Sequence, residues 1–191
     1  MTRPSRLARY GFADNGSRAV DLLGPTGLRL WDVETHAPTR PEAAELLQAL
    51  SRAADPNLAL RQLHRLVEAT GRAADRSNGG RVTGPGGEIS ANEATEALIG
   101  ALYADQGLRR RLIAVLGASS ALGDHLVANP GDWAVLGTGR TGLPPSAEGH
   151  LEIEGEPSVP VLRRAYRLAL LRIAAADLTG GRGLEPTMAA L

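Results

Sequence analysis

The stretch PVLRRAYRLALLRIAAADLT, residues 160–179, decides the fold. Pro160 suits the first turn of a helix, where its missing N–H has no partner to lose, and Gly180 and Gly181 supply a left-handed stop. Leu162, Ala165, Tyr166, Ala169, Ile173 and Ala176 recur at spacings of three, four and seven, which places them on one helix face. Arg163, Arg164, Arg167 and Arg172 spread over the other side, with Leu168, Leu171 and Leu178 among them. A helix that is apolar nearly all round needs partners on two sides. The expectation is that the Leu162–Ile173 face closes a helical bundle. The side carrying Leu168, Leu171 and Leu178 then meets a further domain, with the arginines as ion pairs at that junction.

The rest of the chain is built from the same materials. Its 191 residues have room for one good core or two small ones. Apolar residues make up 43% and aromatics only 3%, so Ala and Leu carry the core and favour helix over sheet. Acids and bases balance at 21 each, which leaves no overall field for nucleic acid or membrane. Every base is Arg and no Lys is present, which excludes Schiff-base chemistry and a phosphate-loop lysine. The absence of Cys excludes thiol catalysis, disulfides and thiolate metal sites. No apolar run approaches 18 residues and no signal peptide opens the chain, so the expected location is cytoplasmic.

Helix signals recur along the sequence. Arg3, Arg6 and Arg9 fall in a short basic opening segment, and Ala19, Val20, Leu22 and Leu23 form an apolar patch. Leu28, Leu30, Trp31 and Val33 make a second patch before a loop with Pro38 and Pro41. Pro41 starts a helix with Ala44, Leu46, Leu47 and Leu50 on its stripe. Asp55 caps the next, which runs through Leu60, Leu63 and Leu66 to Gly71. Ser90 and Glu93 form a capping box, and Asp105 re-caps after Tyr103. Leu108, Leu112, Ile113 and Leu116 follow with Arg109 to Arg111 outward, and Gly117 stops that helix. Ser119 or Ser120 caps a short helix ended by Asn129-Pro130, and Asp132-Trp133 starts one more turn. The fold class is all-α: an irregular bundle of seven to nine short helices joined by Gly/Pro-rich loops.

Five stretches divide the chain: helical segment 1–73, flexible loop 74–90, helical segment 91–136, acidic Gly/Pro-rich loop 137–159, and the arginine-rich helix with its tail, 160–191. Several patterns resemble chemistry, and each has a structural reading. Residues 137–142 match G-x-G-x-x-G, but no strand precedes them and Leu143-Pro144-Pro145 follows, so no dinucleotide unit surrounds them. Gly117, Ser119, Asp124 and His125 suggest a nucleophile elbow, yet Ala121 stands where its second Gly belongs and a cap is the better role for the serine. Glu148, His150, Glu152, Glu154 and Glu156 could ligate a metal, but their alternate spacing in a Gly/Pro loop fits a solvated acidic strip. His36, His64 and His125 form no ligand spacing. Arg109 to Arg111 could bind phosphate, although salt bridges on a helix face are the commoner use.

Residues 117–133, GASSALGDHLVANPGDW, and then residues 162–180, LRRAYRLALLRIAAADLTG, resemble one family in order and spacing. The family is the bifunctional glutamine synthetase adenylyltransferase/adenylyl-removing enzymes in their actinobacterial form, in their N-terminal part. The opening RLARYGF, residues 6–12, is similar to that family's start. Leu168 and Ala176 depart from it, standing where basic residues are common. The resemblance implies a parent enzyme that adenylylates and deadenylylates glutamine synthetase in nitrogen regulation. It implies ATP and magnesium at nucleotidyltransferase domains whose Gly-Ser-Asp-x-Asp-like motif holds the metal. That motif is not in these residues, so no catalytic, cofactor-binding or metal residue is carried over. The implied partners are glutamine synthetase, a nitrogen-regulatory protein and the catalytic domain of the same polypeptide. A stand-alone helical interaction module is the alternative, and an independent enzyme built on His150 and its acidic neighbours is a third reading.

Overall fold

Two helices run through the middle of the molecule and the others are laid against them. The computed structural model describes residues 7, 10–12, 16–78, 90–137 and 158–180. Within these, the order is α1 (Gly16–Leu23), β1 (Trp31–Asp32), β2 (Ala37–Pro38), α2 (Pro41–Ser51), α3 (Pro56–Asn78), α4 (Ala91–Ala104), α5 (Gln106–Ala118), α6 (Ser120–Ala128), a 3-10 helix (Pro130–Leu136) and α7 (Val159–Leu178). Helix α3, about 34 Å long at 1.5 Å per residue, packs on α1, α2, α4, α5, α6 and the 3-10 helix. Helix α5 packs on α2, α3, α4, α6, α7 and the 3-10 helix. The described residues are mainly helical, as composition and periodicity imply.

Local chemistry explains where the helices start. Asp55 Oδ1 accepts from Leu58 N at 2.9 Å, with Pro56 in the first turn. Ser90 Oγ accepts from Glu93 N at 3.2 Å, while Glu93 Oε2 accepts from Ser90 N at 2.7 Å, which completes the capping box. Asp105 ends α4 and opens α5, accepting from Leu108 N at 2.9 Å. Each such cap satisfies a donor the helix cannot, a contribution of about 1 kcal/mol. Between the caps leucine fills the interior: Leu46, Leu47, Leu50, Leu63, Leu98 and Leu112 are all wholly buried. The first apolar patches close one end of this core, with Leu7, Phe12 and Trp31 buried and Tyr10 edge-on to Trp31 at 6.3 Å between ring centres.

The structure departs from the sequence reading in five places. A two-stranded antiparallel hairpin pairs Trp31 with Pro38 and Asp32 with Ala37, where only an apolar cluster and a loop were expected. Asp32 Oδ1 ties its turn by accepting from Glu34 N and Thr35 N. Helix α3 passes through Gly71 to Asn78, so residues 74–78 of the expected loop are helical; residues 79–89 lie outside the described residues. Gly71 does not stop α3 because its role is clearance: an added Cβ would sit 3.3 Å from Thr95 Cγ2 of α4. Gly117 likewise lies inside α5, where an added Cβ would stand 2.6 Å from Ala53 Cβ.

The faces of α7 are the fourth departure. Leu171 is wholly buried and Ala175 is 1% exposed, while Leu162 and Tyr166 are 37% and 54% exposed. Only Ile173 of the expected inner face is buried. Helix α7 packs on α5 and the 3-10 helix, and Leu170, Leu171, Ala174 and Ala175 of its second half join the core. The first half reaches the 3-10 helix through Arg164, and Val159, Leu162 and Tyr166 stay exposed there. The fifth departure concerns Arg109, which is buried.

Candidate functional site

Consecutive residues leave a helix about 100° apart, so Arg109, Arg110 and Arg111 reach in three directions from α5. Each finds the C-terminal end of another helix. Arg109 Nη1 donates to the last-turn carbonyls of α4, Leu102 O at 2.9 Å and Tyr103 O at 3.3 Å. Its Nη2 donates to Glu45 Oε2 of α2 at 2.5 Å. Arg110 Nη2 donates to Thr179 O, one residue beyond α7. Arg111 Nε donates to Leu136 O at 2.7 Å, the last residue of the 3-10 helix. Helix C-termini carry unpaired carbonyls and a partial negative charge, so a guanidinium there satisfies both.

Arg109 is only 5% exposed, which contradicts the expectation that it faces outward. A buried charge of this kind is tolerated because its donors are used. The clue was available in the periodicity. Leu112, Ile113 and Leu116 stand three, four and seven residues after Arg109, which puts the arginine on the apolar stripe.

A cleft of about 610 Å³ opens between α2, the α4–α5 junction and the end of α7. Its walls include Glu45, Gln48, Arg52, Tyr103, Arg110 and Leu178. Tyr103 also lies beneath the Arg40 guanidinium, 5.7 Å from ring centre to Cζ, and burial raises its phenol above the ordinary value. Arg52 and Arg110 are both exposed in these walls, and Arg110 is engaged by the Thr179 carbonyl.

Beside α7 lies a second polar cluster. Asp132, 4% exposed, accepts from Arg164 Nη2 at 2.7 Å through Oδ1. That hydrogen bond and the carboxylate's charge hold the Arg164 guanidinium above its ordinary value. The other oxygen, Oδ2, lies 3.0 Å from His125 Nε2, at angles that are not those of a hydrogen bond. Asn129 Nδ2 stands 3.4 Å from His125 Nδ1. The cluster joins α6, the 3-10 helix and the loose half of α7.

The sequence candidates are dispersed by this fold. Ser119 sits at the bend of 116° between α5 and α6, and its Oγ accepts from Leu122 N at 3.2 Å as a cap. Asp124 pairs with Arg65 Nη1 at 2.6 Å on the surface, away from the His125–Asp132 contact. Arg65 therefore holds the Asp124 carboxyl below its ordinary value. Ser119, Asp124 and His125 therefore do not come together as nucleophile, orienting acid and base. His36 lies in the hairpin turn and His64 is 3.9 Å from Glu68 on α3. Among the described residues no group of three metal-capable side chains forms. Residues 138–157, which hold most of the glycine motif and all of the acidic strip with His150, lie outside the described residues. No single helix among the described residues is long and apolar enough to cross a membrane.

No family model matches the chain, and no solved structure matches it. Curated relatives do. The bifunctional glutamine synthetase adenylyltransferase/adenylyl-removing enzyme of Streptomyces avermitilis is 39% identical over 189 residues, which cover 98% of this chain and 16% of the relative. The enzyme of the same name from Mycobacterium leprae is 33% identical over 201 residues, covering 98% of this chain and 17% of the relative. That of Corynebacterium diphtheriae is 31% identical over 233 residues, covering 94% and 19%. Aligned with them along nearly all its residues, the chain belongs to the family of bifunctional glutamine synthetase adenylyltransferase/adenylyl-removing enzymes and spans about a sixth of their length.

Proposed function

We propose that this chain is a helical support region of an enzyme that adds adenylyl groups to glutamine synthetase and removes them, and that it holds none of the catalytic groups itself. The observation that carries this reading is the match over 98% of the chain to relatives so named, of which it spans 16%. The polar chemistry agrees. The three arginines of α5 are committed to helix ends, and the His125–Asp132–Arg164 cluster ties three elements together.

In this reading ATP and magnesium act in nucleotidyltransferase domains elsewhere in the polypeptide, and glutamine synthetase and a nitrogen-regulatory protein are partners of that whole. Val159, Leu162 and Tyr166, exposed along the first half of α7, suit contact with another part of the same polypeptide.

The test is a segment exchange. The region of the Streptomyces coelicolor enzyme that aligns with this chain at 39% identity is replaced by it. Transfer of labelled AMP to glutamine synthetase, and its removal, are then measured beside a deletion of the same region. The chimera is expected to retain both activities and the deletion to lose them, while the isolated chain shows neither. AMP transfer by the isolated chain, or a folded chimera no better than the deletion, would overturn the proposal. The failed chimera would favour a separate interaction module.

A further inference from the structure

The first half of α7 has two opposite sides. Successive residues of a helix turn by about 100°, so Arg164 stands on the side of the buried Leu171 and Ala175, and from there it reaches Asp132 at 2.7 Å. Val159, Leu162, Arg163, Tyr166 and Arg167 stand on the far side, at spacings of three, four, seven and eight. All five are exposed, Val159 and Tyr166 by 59% and 54%.

That far side fixes the chemistry of what fits it. Val159, Leu162 and Tyr166 follow one another in adjacent turns as one apolar stripe, and an exposed stripe rimmed by charge marks a contact surface. Tyrosine and arginine are the side chains that most often anchor such contacts. Arg163 and Arg167 form no ion pair among the described residues. Helix α7 has no acid of its own before Asp177, so it cannot neutralise them itself. Guanidinium groups left free beside an apolar stripe are complemented by carboxylates set among apolar side chains. A phosphate backbone would use the arginines and leave the stripe in water, and the chain's 21 acids and 21 bases give it no overall attraction to one.

We propose that this side of α7 docks an acidic, amphipathic surface elsewhere in the parent polypeptide, with Leu162 and Tyr166 as apolar anchors and Arg163 and Arg167 paired with its carboxylates. The proposal rests on the parent-enzyme reading, in which the chain spans 16% of its relative and the partner surface belongs to the remainder. Two parts of one polypeptide meet at an effective concentration near the millimolar range, so a small patch is enough to hold them together. Arg164, tied inward to Asp132, then braces the helix from behind.

Hydrogen exchange tests it, read by mass on peptides covering residues 159–167, with peptides of α5 as the control for folding. The isolated 191-residue chain is compared with the Streptomyces coelicolor chimera, whose AMP transfer is measured alongside. Amides 159–167 are expected to exchange about tenfold more slowly in the chimera. Arg163→Glu with Arg167→Glu in the chimera should return them to the rate of the isolated chain, since glutamate suits a helix as well as arginine does and only the charge is reversed. Arg163→Lys with Arg167→Lys should keep most of the protection. A chimera that transfers AMP but exchanges 159–167 as fast as the isolated chain overturns the docking and leaves the parent reading standing. Protection indifferent to charge reversal overturns the acidic partner. A chimera whose α5 peptides also exchange freely overturns the parent reading, and the docking with it. Protection already present in the isolated chain that fades on dilution overturns the proposal and assigns the face to a second copy. Protection gained only on vesicles of anionic phospholipid overturns it and assigns the face to a membrane surface.

Discussion

Helices α5 and α7 are both rich in arginine and leucine, but α5 is held all round while α7 is held over half its length. The difference lies in what surrounds them. Three helix C-termini come within reach of α5, so Arg109, Arg110 and Arg111 all find carbonyl oxygens. Helix α7 lies along one side of the bundle. There Arg164 meets Asp132, Arg163 and Arg167 are exposed, and the Nε of Arg172 is buried without a hydrogen-bond partner among the described residues. An arginine's role is set by which backbone ends lie nearby, and much less by its neighbours in sequence.

The sharpest way to break this comparison is on the leucines of α7. Leu171→Ala should cost about 3 kcal/mol, as for a wholly buried leucine, whereas Leu162→Ala should stay within about 0.5 kcal/mol. Urea unfolding of the two variants at unchanged slope measures both. Equal losses would mean that α7 packs on the face first read from its periodicity.

Arginines give the next largest contrast. Arg109→Met leaves the Leu102 and Tyr103 carbonyls and Glu45 without their donor and should cost about 2 kcal/mol. Arg163→Met should be nearly neutral in the same assay, since Arg163 is exposed and forms no ion pair among the described residues. Glycines extend the contrast to close packing. Gly117→Ala drives a methyl group to within 2.6 Å of Ala53 Cβ, an overpacking that should cost about 1.5 kcal/mol. Gly100, inside α4 with nothing within 4 Å of an added Cβ, should gain about 0.5 kcal/mol on replacement by Ala.

The smallest effect concerns pH. Arg65 holds Asp124 below its ordinary value of 3.8. The contribution of that pair is therefore fully present above pH 3.8 and is lost as pH falls through the lower folded-state value. Asp124→Asn should slightly reduce the stability lost between about pH 7 and pH 3, because the pair is exposed and screened. Chemical denaturation of both proteins at the two pH values checks the sign.

Helix starts were legible because they are local. Asp55, Ser90, Glu93, Asp105 and Ser119 are caps in the structure as their positions imply. Gly71 and Gly117 were misread as stops because clearance for a crossing helix leaves the same letter in the sequence as a left-handed turn. On α7 both sides are apolar, so periodicity could not choose between them; the position of α5 and the 3-10 helix does. Arg109 was misplaced by the weight given to its charge, although Leu112, Ile113 and Leu116 mark its stripe as buried. The cleft joins residues from three distant stretches, and nothing in any one of them announces it.

The three adjacent arginines of α5 also bear on how this region can change over generations. Because they are consecutive, their directions are locked to one another. An in-frame insertion of a single codon between Asp105 and Arg109 would turn all three by about 100° and detach them from α4, α7 and the 3-10 helix together. Most point changes here remove one tether. A change of length removes three, so α5 is a stretch where substitution can be absorbed and insertion cannot.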